Sequence, residues 1–254
     1  MSHSIQAVRG FGTSLLSPLP RSDEPELLDA PEPDPAELAE NFRDIQRVNH
    51  LLGGTSIILR HLPPLLAAIP ARQPVTLLDL ATGVADIPLA ILRWAERRDL
   101  AVTIVASDSS IPVLNLAQER IAAHPALSLA RYDARAVPLP DKRFDIVLCS
   151  LALHHFAPDD ACQVLREMDR LARAGFILND LRRGRPGYAA AWIASRLTTR
   201  NRLTRHDAPL SVRRAYTPAE LASLLRRAGV SNVTITTHPW FRMAALKVSG
   251  DHHA

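Results

Sequence analysis

The 254-residue chain reads as an α/β protein. The predicted core is a doubly wound, seven-stranded, mostly parallel sheet with a terminal antiparallel hairpin and helical lid elements. Three observations predict it. From residue 75 onward, short apolar β-rich runs alternate with amphipathic helical runs. The best of these strands are apolar at successive positions, as strands buried on both faces must be. The last two runs are joined by a short turn and no helix, so they pair as a hairpin.

Residues 1–35 hold six of the twenty prolines, interleaved with acids and serines. Such a segment buries too little apolar surface to offset its ordering entropy, so an acidic, Pro-rich tail is expected, mobile or draped over the domain. Residues 36–70 form an N-terminal helical lid. Leu38, Phe42, Ile45, Val48 and Leu52 recur at helical spacing. Gly53-Gly54 ends that helix, and a second starts at Thr55 with Pro63-Pro64 interrupting it near its middle.

The main domain, 71–254, begins with VTLLDL (75–80), the first strand, and a helix over 86–97. AVTIVASD (101–108) is the second strand, followed by a helix over 110–123. LSLAR (127–131) is a weak third strand, and FDIVLCSL (144–151) a strong fourth. A helix over 159–173 leads to the fifth strand, GFILNDL (175–181). One helical stretch is expected over 187–204, inside an insert at about 182–216. Residues 218–230 form a well-marked helix with Thr217 as N-cap and Pro218 at its first position. The hairpin fills 233–248.

The net charge of +4 hides an asymmetry. Residues 1–40 hold eight acids and two bases, which leaves a surplus of ten bases in the remainder; residues 181–215 hold nine arginines against one acid, Asp207. Such a segment meets nucleic acid, an anionic surface or an acidic substrate, or it is a solvated face. The two cysteines, Cys149 and Cys162, exclude a disulfide framework, and no Cys/His spacing suggests a structural zinc site, so no metal is expected. A reducing, cytoplasmic setting follows. No transmembrane segment or secretory signal is expected.

In a doubly wound sheet the ligand lies beyond the carboxyl ends of the strands. Those ends carry Asp79, Asp108, Asp133, and then Ser150 with His154 and His155. The first loop, DLATGVAD (79–86), has only Gly83 where a dinucleotide fingerprint needs three glycines. Asp86 stands where a pyrophosphate would bind. A ligand without phosphates and with a cationic centre fits better, and S-adenosylmethionine is such a ligand.

The strings LLDLATGVADIP, SDSS (107–110) and YDARAVPLPDKRFDIVLCSLALHHF, with the terminal hairpin, resemble a class I S-adenosylmethionine-dependent methyltransferase over about residues 40–248. The style is closest to methyltransferases of ubiquinone and menaquinone biosynthesis. The resemblance implies that Asp79 and the backbone of Ala81, Thr82 and Gly83 hold the methionine part of the cofactor. It also implies that Asp108 takes the ribose hydroxyls and that Asp133 and Ala134 meet adenine. Asp86, Ser109 and Ser150 complete the expected cofactor set. The chain departs from a glycine-rich loop at Ala81 and Ala85.

The acceptor is read from the later strand ends. A nucleobase amine is disfavoured because strand four ends in Cys149-Ser150-Leu151-Ala152 and lacks the Asn/Asp-Pro-Pro-aromatic string of such enzymes. Cys149 lies within an apolar strand and reads as core. A phenol has a pKa near 10, so a histidine base would assist its methylation; His155, His154 and His206 are the candidate catalytic residues. The segment NDLRRGRPGYAAAWIASRLTTRNRLTRHDAP resembles bacterial small-molecule methyltransferases associated with type III polyketide synthases. That resemblance implies a phenolic or polyketide-derived acceptor. Tyr188, Ala191, Trp192, Ile193 and Leu197 would form an apolar lid wall. Asn179, Asp180, Arg200, Arg202, Asp207 and His50 are the substrate-binding candidates. O-methylation of such an acceptor by a monomer or homodimer, with no nucleic-acid partner, is the leading expectation. An RNA-binding protein or RNA methyltransferase using residues 182–214 is the alternative.

Overall fold

The computed structural model describes residues 19–30, 34–70, 73–121 and 124–249. The expected tail therefore lies outside the described residues over 1–18 and 31–33. Two helices open the main body, α1 (Pro35–Leu51) and α2 (Gly54–Ala67). The alternating core follows as β1 (Val75–Leu80), α3 (Asp86–Glu96), β2 (Val102–Asp108), α4 (Ile111–Ile121), β3 (Leu127–Arg131), β4 (Phe144–Ser150), α5 (Pro158–Leu171) and β5 (Ala172–Leu181). After α6 (Arg185–Thr198), α7 (Arg202–Arg214) and α8 (Pro218–Ala228) come β6 (Val233–His238) and β7 (Arg242–Val248).

The seven strands lie in the order β3-β2-β1-β4-β5-β7-β6. The pairs among β1 to β5 are parallel, and β7 is antiparallel to both β5 and β6. The order reverses between β1 and β4, the switch point where a doubly wound sheet opens a crevice. Adjacent residues point to opposite faces of a strand, which builds two cores. Leu78, Val147, Phe176 and Leu178 pack with α5 and α8 on one face. Leu77, Ile146, Leu148 and Ile177 pack with α2, α3 and α4 on the other.

Three local expectations change. Helix α2 runs through Pro63 and Pro64 without a break. Its face of Ile57, Ile58, Leu62 and Leu65 is buried; at about 1.5–3 kcal/mol per side chain that burial offsets the lost amide bonds. The expected single helix over 187–204 is two helices, because Asn201 turns its side chain back to accept from the Thr204 amide and caps α7. Trp192, Ile193 and Leu197 of α6 are exposed, so they do not form an inward lid wall.

Residues 19–30 form a strap that crosses α7. The Ser22 amide donates to the Arg213 carbonyl at 3.1 Å. The amides of Leu27 and Leu28 donate to the two Asp207 carboxylate oxygens at 2.8 and 2.9 Å. Glu26 is 4% exposed. Among the described residues, no helix is long and apolar enough to cross a membrane.

Candidate active site

The first loop carries the chain from β1 into α3. Ala81, Gly83 and Ala85 take φ of +53°, +58° and +59°. Left-handed backbone costs a residue with a Cβ about 1–2 kcal/mol, so the two alanines hold strain on a path that glycine follows freely. A Cβ at Gly83 would lie 3.0 Å from Phe42 Cε1, so α1 sits close over the loop. The Thr82 amide donates to the Ser107 carbonyl at 2.9 Å and ties the loop to β2.

Three carboxylates converge here. Asp79 is buried; Thr82 Oγ1 donates to its Oδ2 at 2.6 Å, while its Oδ1 has no partner. Burial, aided by repulsion from Asp86 and Asp108 and opposed by the Thr82 hydroxyl, raises its pKa from 3.8 to about 7. Burial also pushes Asp86 up, although Asn49 Nδ2 donates to it at 3.2 Å. It pushes Asp108 up as well, although the amides of Ser110 and Gly83 donate to its two oxygens at 3.0 and 3.1 Å. The loop is thus rich in buried acceptors. An orphaned carboxylate oxygen beside two more raised acids suits a ligand bearing an ammonium, a sulfonium and hydroxyls.

The other expected cofactor residues are in varied states. Asp133 is held low by the Arg135 guanidinium, which pairs with it at 2.7 Å. Ala134 is buried and Ser109 exposed. Asn179 Nδ2 donates to Ser150 Oγ at 2.8 Å, and the buried Asn179 Oδ1 has no partner.

The ends of β4 and β5 bring His154, His155 and Asp180 together. His154 Nδ1 lies 2.7 Å from Asp180 Oδ1, and the His154 amide donates to Asp180 Oδ2 at 3.0 Å. His155 Nδ1 lies 3.1 Å from Asp29 Oδ2. Burial opposes charge on His155, but the Glu26 and Asp29 carboxylates outweigh it and push its pKa to about 9. Cys149 is fully buried, and that burial pushes its thiol well up, so it is a core residue and no nucleophile.

Several predicted residues lie elsewhere. His50 is exposed on α1; its neighbour Asn49 is the buried one and reaches Asp86. His206, in the insert on α7, is half-buried, with Nδ1 2.7 Å from Asp207 and Nε2 3.6 Å from Glu24. Asp207 binds the strap rather than an open cleft. Arg202 pairs with Glu37 of α1 at 2.8 Å, and Arg200 is exposed.

Sequence reasoning missed Glu26, Asn49 and Arg242. Arg242 is 1% exposed at the start of β7, opposite Leu181. Its Nη2 donates to Asn49 Oδ1 at 3.3 Å, while Nε and Nη1 have no partner. Burial, opposed by Asp180 and Asp86, lowers its pKa to about 10. A lone arginine opening the apolar run FRMAALKV was the one signal available.

Residues 77–175 match the family described as "Methyltransferase domain". The chain is 34% identical over 106 residues to a demethylmenaquinone methyltransferase of Deinococcus radiodurans, covering 41% of this chain and 42% of that one. It is 29% identical over 187 residues to a demethylmenaquinone methyltransferase of Roseiflexus castenholzii, covering 69% and 73%. The match thus spans about two fifths of the first relative's length. The crystal structure of human N-acetylserotonin methyltransferase in complex with S-adenosylmethionine superposes with a TM-score of 0.58 at 16% identity, over 85% of this chain and 57% of that one.

Sheet order, first loop and the domain match over residues 77–175 together support a class I S-adenosylmethionine-dependent methyltransferase domain, with S-adenosylmethionine as the cofactor. Within that class the chain resembles the methyltransferases of ubiquinone and menaquinone biosynthesis.

Proposed function

We propose that this chain methylates a small hydroxylated aromatic acceptor, phenolic or polyketide-derived, at the phenolic oxygen. The observation that carries the acceptor side is the buried His154–Asp180 pair beside Arg242, a buried cation with two donor nitrogens that have no partner. When bound, the cofactor would supply an electrophilic methyl on a sulfonium: the acceptor–methyl bond forms in line as the sulfur–methyl bond breaks, and S-adenosylhomocysteine leaves as a neutral thioether. Asp79 and the backbone of residues 81–83 would hold its methionine part, Asp108 its ribose, and Asp133 with Ala134 its adenine.

Asp180 accepts the Nδ1 proton of His154, which leaves the Nε2 lone pair for a phenolic proton. Arg242 offers its unused donors to the phenolate so formed. The remaining contribution is positioning in a water-poor pocket.

A second reading, methylation at a ring carbon, is favoured by the relatives named as demethylmenaquinone methyltransferases. The same deprotonation enriches the carbon ortho to the hydroxyl. An RNA acceptor is disfavoured because much of the arginine segment is spent internally. Arg183 pairs with Glu220, and Arg202 with Glu37. Arg205 donates to the carbonyls of Thr199 and Arg196, and Arg214 to those of His154 and His155.

The test is methyl transfer from labelled cofactor to simple phenols, alkylresorcinols, demethylated quinols and total RNA, with products identified by mass spectrometry and NMR. An O-methyl product supports the first reading and a C-methyl product the second. No transfer to any hydroxylated aromatic, with clear transfer to RNA, overturns both.

A further inference from the structure

We propose that Glu26, His154 and His155 form a divalent transition-metal site that latches the 19–30 strap over the active site. The three residues present donor atoms that all lie within 4.8 Å of one another. His154 Nε2 is 3.7 Å from Glu26 Oε1, and His155 Nε2 is 3.8 Å from Glu26 Oε2. These separations are too long for hydrogen bonds. Tetrahedral ligands on zinc stand about 3.3 Å apart, so side-chain movement of at most about 1.5 Å closes the set on a Zn²⁺ ion.

The surroundings are those of a metal site. Each imidazole has a carboxylate at its Nδ1, Asp180 for His154 and Asp29 for His155. Such carboxylates orient a ligating histidine and leave Nε2 as the donor atom. Ser211 Oγ donates to Glu26 Oε1 at 2.9 Å and holds that carboxylate in place. Arg214 Nε, 3.8 Å from the same oxygen, opposes a second cation, and Asp29 and Asp180 supply the charge that offsets it. Two imidazoles and one carboxylate suit zinc or a neighbouring transition metal rather than magnesium or calcium. Two ligands come from the end of β4 and the third from the strap, so one ion joins segments 128 to 129 residues apart. With Glu26 buried against His154, whose side chain is also buried, the strap must lift before an acceptor reaches His154.

The test uses the full chain after dialysis against chelator, titrated with Zn²⁺ by calorimetry and with Co²⁺ by visible absorption. One metal per chain is expected, with a tetrahedral Co²⁺ spectrum. Glu26→Gln and His155→Ala should each abolish stoichiometric binding, and Asp29→Asn should weaken it about 10–100-fold. Zn²⁺ should also slow tryptic cleavage after Arg21 in the unaltered chain and not in Glu26→Gln. No binding at 100 μM metal, as an order of magnitude, or binding that survives both ligand substitutions, overturns the proposal. None of these readouts depends on methyl transfer, so they stand apart from the choice of acceptor.

Discussion

Replacing Asp79 by asparagine tests the electrostatics of the cofactor loop. The carboxyl is buried, with one hydroxyl partner and two neighbouring acids, and its pKa rises from 3.8 to about 7. An acid raised on folding keeps a proton that the unfolded chain has lost. Stability therefore falls as pH rises from about 3.8 to about 7 and is level above that. Each pH unit in the window is worth about 1.4 kcal/mol, so the step from pH 5 to pH 8 costs the cofactor-free protein about 3 kcal/mol at this one group. Asparagine keeps an oxygen for the Thr82 hydroxyl and carries no charge at any of these pH values. Urea denaturation of both proteins without cofactor, at pH 5, 6, 7 and 8, isolates the group together with its coupling to Asp86 and Asp108, because titrations elsewhere cancel in the difference. The variant should gain on the parent by about 3 kcal/mol between pH 5 and pH 8. A difference that is the same at both pH values refutes the reasoning.

Asp108→Ala should lower cofactor affinity at least about tenfold, or 1.4 kcal/mol, by calorimetry, with the circular dichroism spectrum retained; unchanged affinity removes Asp108 from the ribose site. Gly175→Ala should cost more than about 4 kcal/mol in thermal or chemical unfolding, because φ there is +136° and a Cβ would lie 1.9 Å from the Lys247 carbonyl oxygen. A soluble variant with the parental melting temperature would contradict that contact. Asp207→Ala leaves the Leu27 and Leu28 amides without their acceptor, so it should cost about 1–3 kcal/mol and speed tryptic cleavage after Arg21. Equal cleavage rates would mean that the strap is held elsewhere.

The sheet was legible because buried parallel strands are continuous apolar runs, and VTLLDL and FDIVLCS read as nothing else. The first-loop acids were legible for a related reason: topology places every strand's carboxyl end on one rim. The helical side of the site was harder. A helix turns 100° per residue, so the candidate His50 is exposed while its neighbour Asn49 is buried and reaches Asp86. Arg242 belongs to β7, and only antiparallel pairing with β5 brings it to the rim. Glu26 lies in a segment whose composition argues for disorder, and its place depends on Asp207, 181 residues away. No local pattern encodes such contacts. The arginine insert is no more legible locally, because Arg183, Arg202 and Arg214 answer acids and carbonyls of distant elements.

The strap also bears on kinetics. A segment tethered to its own docking site competes with any free ligand at an effective concentration near the millimolar range. The apparent dissociation constant of the acceptor is then the intrinsic one divided by the open fraction. A chain closed 99% of the time would show an acceptor constant about a hundredfold weaker than its pocket alone provides. Whatever shifts that fraction tunes turnover at low substrate without touching a residue that meets the methyl group.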